Sequence, residues 1–485
     1  MKKLFLLLAF ISCSFAYAQV TTNPGAPVAS DNVEITLTTT GTGLENYTGD
    51  IYAHTGITIG TDKWQNVIGS WGNNATQPKL TKVNATTYTL NISPNVYDFY
   101  GVPNTTDVKE LSFVFRSADG TKQTSPDIFV TIFAPELNIN ITAPTNNAVF
   151  NQGESTTIEA ATTVNANLEL FVNNTSIETS TNTKLISKKY TFSTTGNHTI
   201  KAKATEGSNT KEQEISVYVK TTTQNQSRPS GVKNGVNINP DNTVTFVILA
   251  PQKQDVFLIG DFNDWKLESN YQLKKDGEYF WITLSGLDPN IEYAYQYFID
   301  YDKKVADPYA EEVLDENNDK YISNSNYPNL KLFPEGASGI VSTFKINETE
   351  YSWQNTSFTK PSKDKMVIYE LLVRDFSEND SFQAVIDKLD YLQSLGINAL
   401  ELMPVNEFEG NDSWGYNVSH FFALDKAYGT KNKFKELVDK CHQRGIAVIL
   451  DVVFNHSYSQ NPLLQMYDYN NSAGTTSNNP FYNDD

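Results

Sequence analysis

Residues 446–456 read IAVILDVVFNH. A continuous apolar run of this kind, flanked by polar text, fits a strand buried on both faces, and it delivers Asn455 and His456 to the strand's C-terminal end. Working outward, INALELMPV (Ile397–Val405) and KMVIYELLVRDF (Lys365–Phe376) are two earlier runs of the same character. Between the first and second run, Phe382, Val385, Ile386 and Leu389 mark a helix face closed by Gly396. Between the second and third, Phe434, Leu437, Val438 and Cys441 mark another, closed by Gly445. Strand, helix, strand, helix, strand implies a parallel sheet with right-handed crossovers, whose chemistry sits at the C-terminal strand ends. Residues 361–485 therefore read as the first part of a (β/α)8 TIM barrel, about half of the roughly 250 residues such a barrel needs.

Upstream, from Thr22 to Tyr351, the text consists of short alternating runs rich in Thr, Val, Ile, Tyr and Phe, broken by Asn, Asp, Gly and Pro. Ala134-Pro135 and the polar stretch KTTTQNQSRPSG (Lys220–Gly231) punctuate it. The expectation is a multidomain chain: three N-terminal β-sandwich domains at 22–135, 136–222 and 228–346, followed by the incomplete barrel. Residues 1–18 carry a basic start, an apolar core and the ending Ala16-Tyr17-Ala18, which is the layout of a secretory signal peptide. The competing reading is a lipid-anchored Cys13. Export predicts a secreted or cell-surface protein without intramolecular disulfides, because Cys441 is then the only cysteine left.

A net charge of −19 argues against nucleic acid as a partner, and no apolar run is long enough to span a membrane. Nothing in the sequence sets the oligomeric state. Aromatic residues make up 12% of the chain, enough to fill several β cores and also to supply flat faces for sugars.

DVVFNH (Asp451–His456) resembles the first conserved region of glycoside hydrolase family 13, the α-amylase family. LELMPVNEFEGNDSWGYNVSHFFALDKAYGT (Leu400–Thr430) resembles that family's second strand and following loop. The likeness runs from Met366 to about Met466. It implies that Tyr416 stacks on the sugar beside the scissile bond, that His456 hydrogen-bonds that sugar, that Asp451 is a buried supporting carboxylate and that Asn455 is a calcium ligand. One amide oxygen does not by itself make a site of six to eight oxygens. The resemblance further implies retaining hydrolysis of α-1,4 or α-1,6 glucosidic bonds by an Asp nucleophile and a Glu acid/base about 5–5.5 Å apart. Those carboxylates would lie on the fourth and fifth strands, beyond residue 485. Glu370, Asp375 and Glu401 are not expected to substitute for them, so the chain as written is expected to be inactive.

VFLIGDFNDWK (Val256–Lys266), with YAYQYFIDYDKKVADPYA (Tyr293–Ala310), resembles the family 48 carbohydrate-binding module. Trp265 is its candidate stacking residue, unless it closes the domain against its neighbour. Tyr293, Tyr295 and Tyr297 share one strand face and read as core. GDIYAHTGITIGTDKWQNVIGSWG (Gly49–Gly72) resembles starch-binding modules of family 26, with Trp64 and Trp71 as a sugar platform and His54 or Lys63 as polar partners; one tryptophan reads equally well as core. The middle domain resembles an immunoglobulin-type spacer. Together these readings describe a secreted α-glucan hydrolase; the alternative is a noncatalytic starch-binding protein that keeps a barrel remnant.

Overall fold

The computed structural model describes residues 19–467, 469–470, 474–475 and 478–482, and among these no helix is long and apolar enough to cross a membrane. The expected signal peptide and Cys13 lie outside the described residues. Two compact units result, one ending at Thr221 and the other beginning at Thr222.

The first unit opens with two four-stranded sheets. One runs in the order Val20–Asn23, Val33–Thr38, Thr87–Ile92, Thr81–Lys82; the other Asp62–Gln65, Ile51–Ile59, Val108–Ser117, Ile128–Thr131. Alternation explains the packing. In Val33–Thr38 every second side chain is fully buried, and Val33, Ile35 and Leu37 meet Ile51, Ala53, Phe113 and Phe115 from the facing sheet in one core. The next domain departs from the expected pair of separate sheets. Its six strands form a single hydrogen-bonded sheet, because the long strand Ser155–Val172 pairs with Ile139–Ala143 near its start and with Gly196–Glu206 near its end. Pairing irregularities between Ala161 and Leu168 bend that strand, so one chain segment serves both layers.

The second unit begins with a sandwich of two sheets, Gly235–Ile238 with Val244–Leu249, Tyr279–Leu284 and Lys274–Asp276, facing one built on Val256–Gly260, Glu292–Ile299 and Ile340–Lys345. Tyr295 and Tyr297 are fully buried, as expected of a core face, and both donate hydroxyl hydrogen bonds to the buried Asp307, at 2.8 and 3.2 Å. The polar stretch read as a linker is partly built in: the Gln226 N–H donates to the Lys275 carbonyl, the Lys275 N–H donates to the Gln224 carbonyl, and Trp281 donates to the Gln226 carbonyl.

The parallel sheet Ile368–Leu371, Ala399–Leu402, Ala447–Leu450 has the anticipated order. Its strands are shorter than their apolar runs. After Leu371 the chain turns into a helical turn, Val373–Phe376, and the third strand ends at Leu450, leaving Asp451–His456 beyond it. The first helix is divided at Lys388 into Phe382–Asp387 and Leu389–Ser394; the second, Lys431–Gln443, is continuous and ends before Gly445. These helices cover Leu371, Leu400 and Leu402, with the buried Cys441 in the same core. The opposite face and the edge stay open among the described residues: Ile368 is 49% exposed and Phe454 70%. Residues after His456 do not end as free loop, since Met466 and Tyr467 enter the core of the preceding sandwich and the Tyr467 hydroxyl donates to the Pro251 carbonyl at 2.7 Å.

Candidate functional site

Two clusters of the predicted residues form. The first lies past the ends of the parallel strands. An antiparallel hairpin, Asn406–Phe408 with Val418–Leu424, carries the Gly415-Tyr416-Asn417 loop toward the end of the third strand. Glycine is required at 415: φ is +88°, and a Cβ there would stand 2.5 Å from the Pro404 carbonyl oxygen. The hairpin is rooted by Lys426, 2% exposed, whose ammonium contacts the Glu407 carboxylate and lies 3.3 Å from Asp319 of the sandwich. Burial pulls the Lys426 pKa down, but the carboxylates of Glu407, Asp319 and Asp425 outweigh it and hold the ammonium charged.

At the loop's tip the Tyr416 hydroxyl donates to Asp451 Oδ2 at 2.6 Å. That bond, partial burial and the charges of Asp451, Glu370 and Glu401 push the phenol up to about 12. His456 Nε2–H donates to the Tyr416 carbonyl at 2.7 Å, and Asn455 Nδ2 donates to His456 Nδ1 at 3.1 Å, so both ring nitrogens are engaged within the chain. Asp451 is half-buried rather than buried, because nothing among the described residues covers the sheet face it lies on. Asn455 spends its amide N–H on His456, and among the described residues no group of three or more His, Cys, Asp or Glu side chains gathers to hold a metal ion. Of the other carboxylates, Asp375 is paired with Arg374 and held below its ordinary range by that hydrogen bond, while Glu370 and Glu401 stand in register on adjacent strands.

The second cluster lies on the first β-sandwich. The His54 and Trp64 rings stack at 5.1 Å, and Trp71 meets His54 edge-on at 4.9 Å, while remaining 53% exposed. Trp64 takes a left-handed backbone, φ +57°, which a bulky residue rarely adopts, and its indole N–H donates to Asp127 Oδ2 at 3.0 Å. The tryptophan pair and His54 are thus brought together; Lys63 instead places its ammonium over the Phe129 ring. Missing from the sequence reading were Asn74, Gln77, Arg116 and Asp127, which anchor this cluster from below. The one textual sign was a basic residue inside the apolar run FVFRS (Phe113–Ser117). Trp265 belongs to neither cluster. Also left-handed, at φ +58°, it donates its N–H to Asp261 and packs half-buried against the small core of Ala294, Leu314 and Val341, within its own sandwich.

Residues 355–483 match the alpha amylase catalytic domain model. This segment belongs to the α-amylase family. In front of it, residues 233–310 match carbohydrate-binding module 48 (isoamylase N-terminal domain), and residues 138–226 match a bacterial Ig domain. Among curated proteins, malto-oligosyltrehalose trehalohydrolase of Saccharolobus solfataricus is 32% identical over 225 residues, covering 46% of this chain and 34% of that protein. The 1,4-alpha-glucan branching enzyme GlgB of Pseudoalteromonas atlantica is 29% identical over 231 residues, 45% of this chain and 29% of that one. The chain thus spans about a third of the length of these curated relatives. Among solved structures, a putative alpha amylase from Salmonella typhimurium is similar at 26% identity and a TM-score of 0.38, covering 48% of this chain and 35% of that one. Within the α-amylase segment lie Tyr416, Asp451, Asn455 and His456; the Trp64–His54–Trp71 cluster lies outside all three matched ranges.

Proposed function

We propose that this chain is an exported α-glucan-acting hydrolase of the α-amylase family that carries glucan-binding domains in front of its parallel-sheet segment. The observation that carries the reading is the joint placement of Tyr416, Asp451 and His456 past the strand ends of a segment of that family. In this reading Tyr416 supplies the stacking face, Asp451 fixes its hydroxyl, and His456 holds the loop to the strand end through the Tyr416 carbonyl. The second support is the Trp64–His54–Trp71 platform, of the starch-binding kind resembled by family 26, which would keep the protein on polymeric substrate and raise the local concentration of sites. Trp265 in this reading is a packing residue. In this reading Asn455 Oδ1 is left free to serve a calcium ion as one ligand among several. Asp375 is committed to Arg374 and Asp451 to Tyr416, so the retaining pair is proposed to come from none of them.

The test uses the full chain in two assays. Titration with maltoheptaose should show binding that Trp71→Ala weakens about tenfold, a loss in the range of one stacked aromatic face. Incubation with soluble starch should release no reducing sugar. Turnover by the pure chain would refute the assignment of the catalytic pair elsewhere, and unchanged affinity in Trp71→Ala would refute the platform. Binding of maltoheptaose with no turnover under any condition would favour the noncatalytic glucan-binding reading.

A further inference from the structure

Arg116 is fully buried, and among the described residues it pairs with no carboxylate. Its guanidinium is satisfied by neutral oxygens only: Nε donates to Gln77 Oε1 at 2.7 Å, Nη1 to the Ser117 carbonyl at 2.9 Å and Nη2 to Asn74 Oδ1 at 2.7 Å. A buried cation without a counter-charge is expensive, and an apolar side chain would fill the same core without that penalty. Its retention asks for a reason, and the hydrogen-bond directions supply one.

Arginine only donates, so the oxygen of the Gln77 carboxamide must face Arg116. The NH2 group of Gln77, itself buried, then faces His54 Nδ1 at 2.8 Å. An NH2 group cannot accept, so Nδ1 carries the lone pair and the ring proton sits on Nε2. Among the described residues Nε2 meets no protein partner, and its ring lies between Trp64 and Trp71. Burial works most strongly against the imidazolium, the Arg116 charge adds to it, and Asp127, whose Oδ2 is already engaged by the Trp64 indole, opposes both, so the His54 pKa is lowered and the neutral ring favoured.

We propose that Arg116 and Gln77 are positioning residues that fix His54 as a neutral Nε2–H donor between the two tryptophans, aimed at a hydroxyl oxygen of an α-glucan. The inference rests on the platform reading above and adds to it the polar group that orients the sugar. Stacking alone tolerates a ring in many rotations. One donor at a fixed point selects those that present an oxygen there.

The first measurement needs no variant. In the full chain labelled with 15N-histidine, with His54→Gln used to assign the signal, the His54 nitrogens should report the Nε2–H tautomer; the Nδ1–H tautomer overturns the proposal. Gln77→Glu is the second. The carboxylate keeps a partner for Arg116 but only accepts, so it draws a proton onto Nδ1. The expected result is a reversed or doubly protonated signal, maltoheptaose affinity reduced about tenfold and an unchanged unfolding midpoint. A changed signal with unchanged affinity overturns the positioning role, as does an unchanged signal. Loss of affinity in Trp71→Ala with none in Gln77→Glu overturns the relay alone, whereas no loss in Trp71→Ala removes the platform beneath it.

Discussion

The two clusters are built on opposite plans. On the first sandwich, the exposed face of Trp64, His54 and Trp71 rests on a buried guanidinium that makes three hydrogen bonds, to Gln77, Ser117 and Asn74, so its polar groups are fixed from within the core. Past the ends of the parallel strands, Tyr416, Asp451 and His456 hold one another at the surface, and what fixes them is remote: the buried Lys426 at the root of their hairpin and the close approach of Gly415 to Pro404. One surface is organised from beneath and the other from its hinge. The same residue types can thus be rigid for different reasons, and substitutions away from the sugar-facing side chains separate the two cases.

The largest separation is expected from Lys426→Met. It leaves Glu407 and Asp319 buried without their cation and should destabilise the unit from Thr222 onward by about 3–5 kcal/mol. Chemical denaturation followed with maltoheptaose binding should show an early transition of that unit, with platform affinity intact; loss of both together would contradict the comparison. Next comes pH. Burial pushes Asp307 up to about 6 despite the hydrogen bonds it accepts from Tyr309 N–H, Tyr295 and Tyr297. Between pH 4 and 6 the folded unit therefore holds a proton that the unfolded chain has released. Asp307 should contribute a fall of about 3 kcal/mol as pH rises through that window, alongside the buried Glu312, Glu407 and Asp425, which are raised in the same sense, and Asp307→Asn should remove its share of the slope. A denaturation series across that window that rises, or that the variant leaves unchanged, would reject the assignment. Gly415→Ala should cost about 1–3 kcal/mol, since alanine meets both a left-handed backbone and the Pro404 carbonyl, again without touching the platform. The smallest effect belongs to Tyr416→Phe, which removes only the hydroxyl donated to Asp451, about 0.5–1 kcal/mol; a larger loss would mean that the surface network is more rigid than its exposure suggests.

Much of this was legible in the text, and the part that was not follows a physical pattern. Period-two alternation and helix-closing glycines give the order of strands and helices, because side-chain periodicity is local. The lengths of the parallel strands were overestimated because an apolar run such as VVF continues past the last pairing partner, where Val452 and Phe454 lie exposed and only Val453 is buried. Tyr416, Asp451 and His456 were singled out through local motifs, and the fold brings them into contact. Arg116 and Gln77 were not, since their meaning comes from a contact across 39 residues of sequence that no spacing rule encodes. Trp265, an aromatic in a turn, was singled out as a sugar contact, and the fold shows what the text does not, that its ring is half-buried against Ala294, Leu314 and Val341.

Cys441 offers an independent clock on the less tightly organised region. It is the only cysteine among the described residues, sits fully buried on the helix Lys431–Gln443, and burial pushes its thiol up to about 12. A thiol reagent in solution therefore meets it only when the helix lifts from the parallel sheet. The rate of labelling at neutral pH counts those openings directly, residue by residue of time rather than of sequence, and needs neither a sugar nor a working active site to do so.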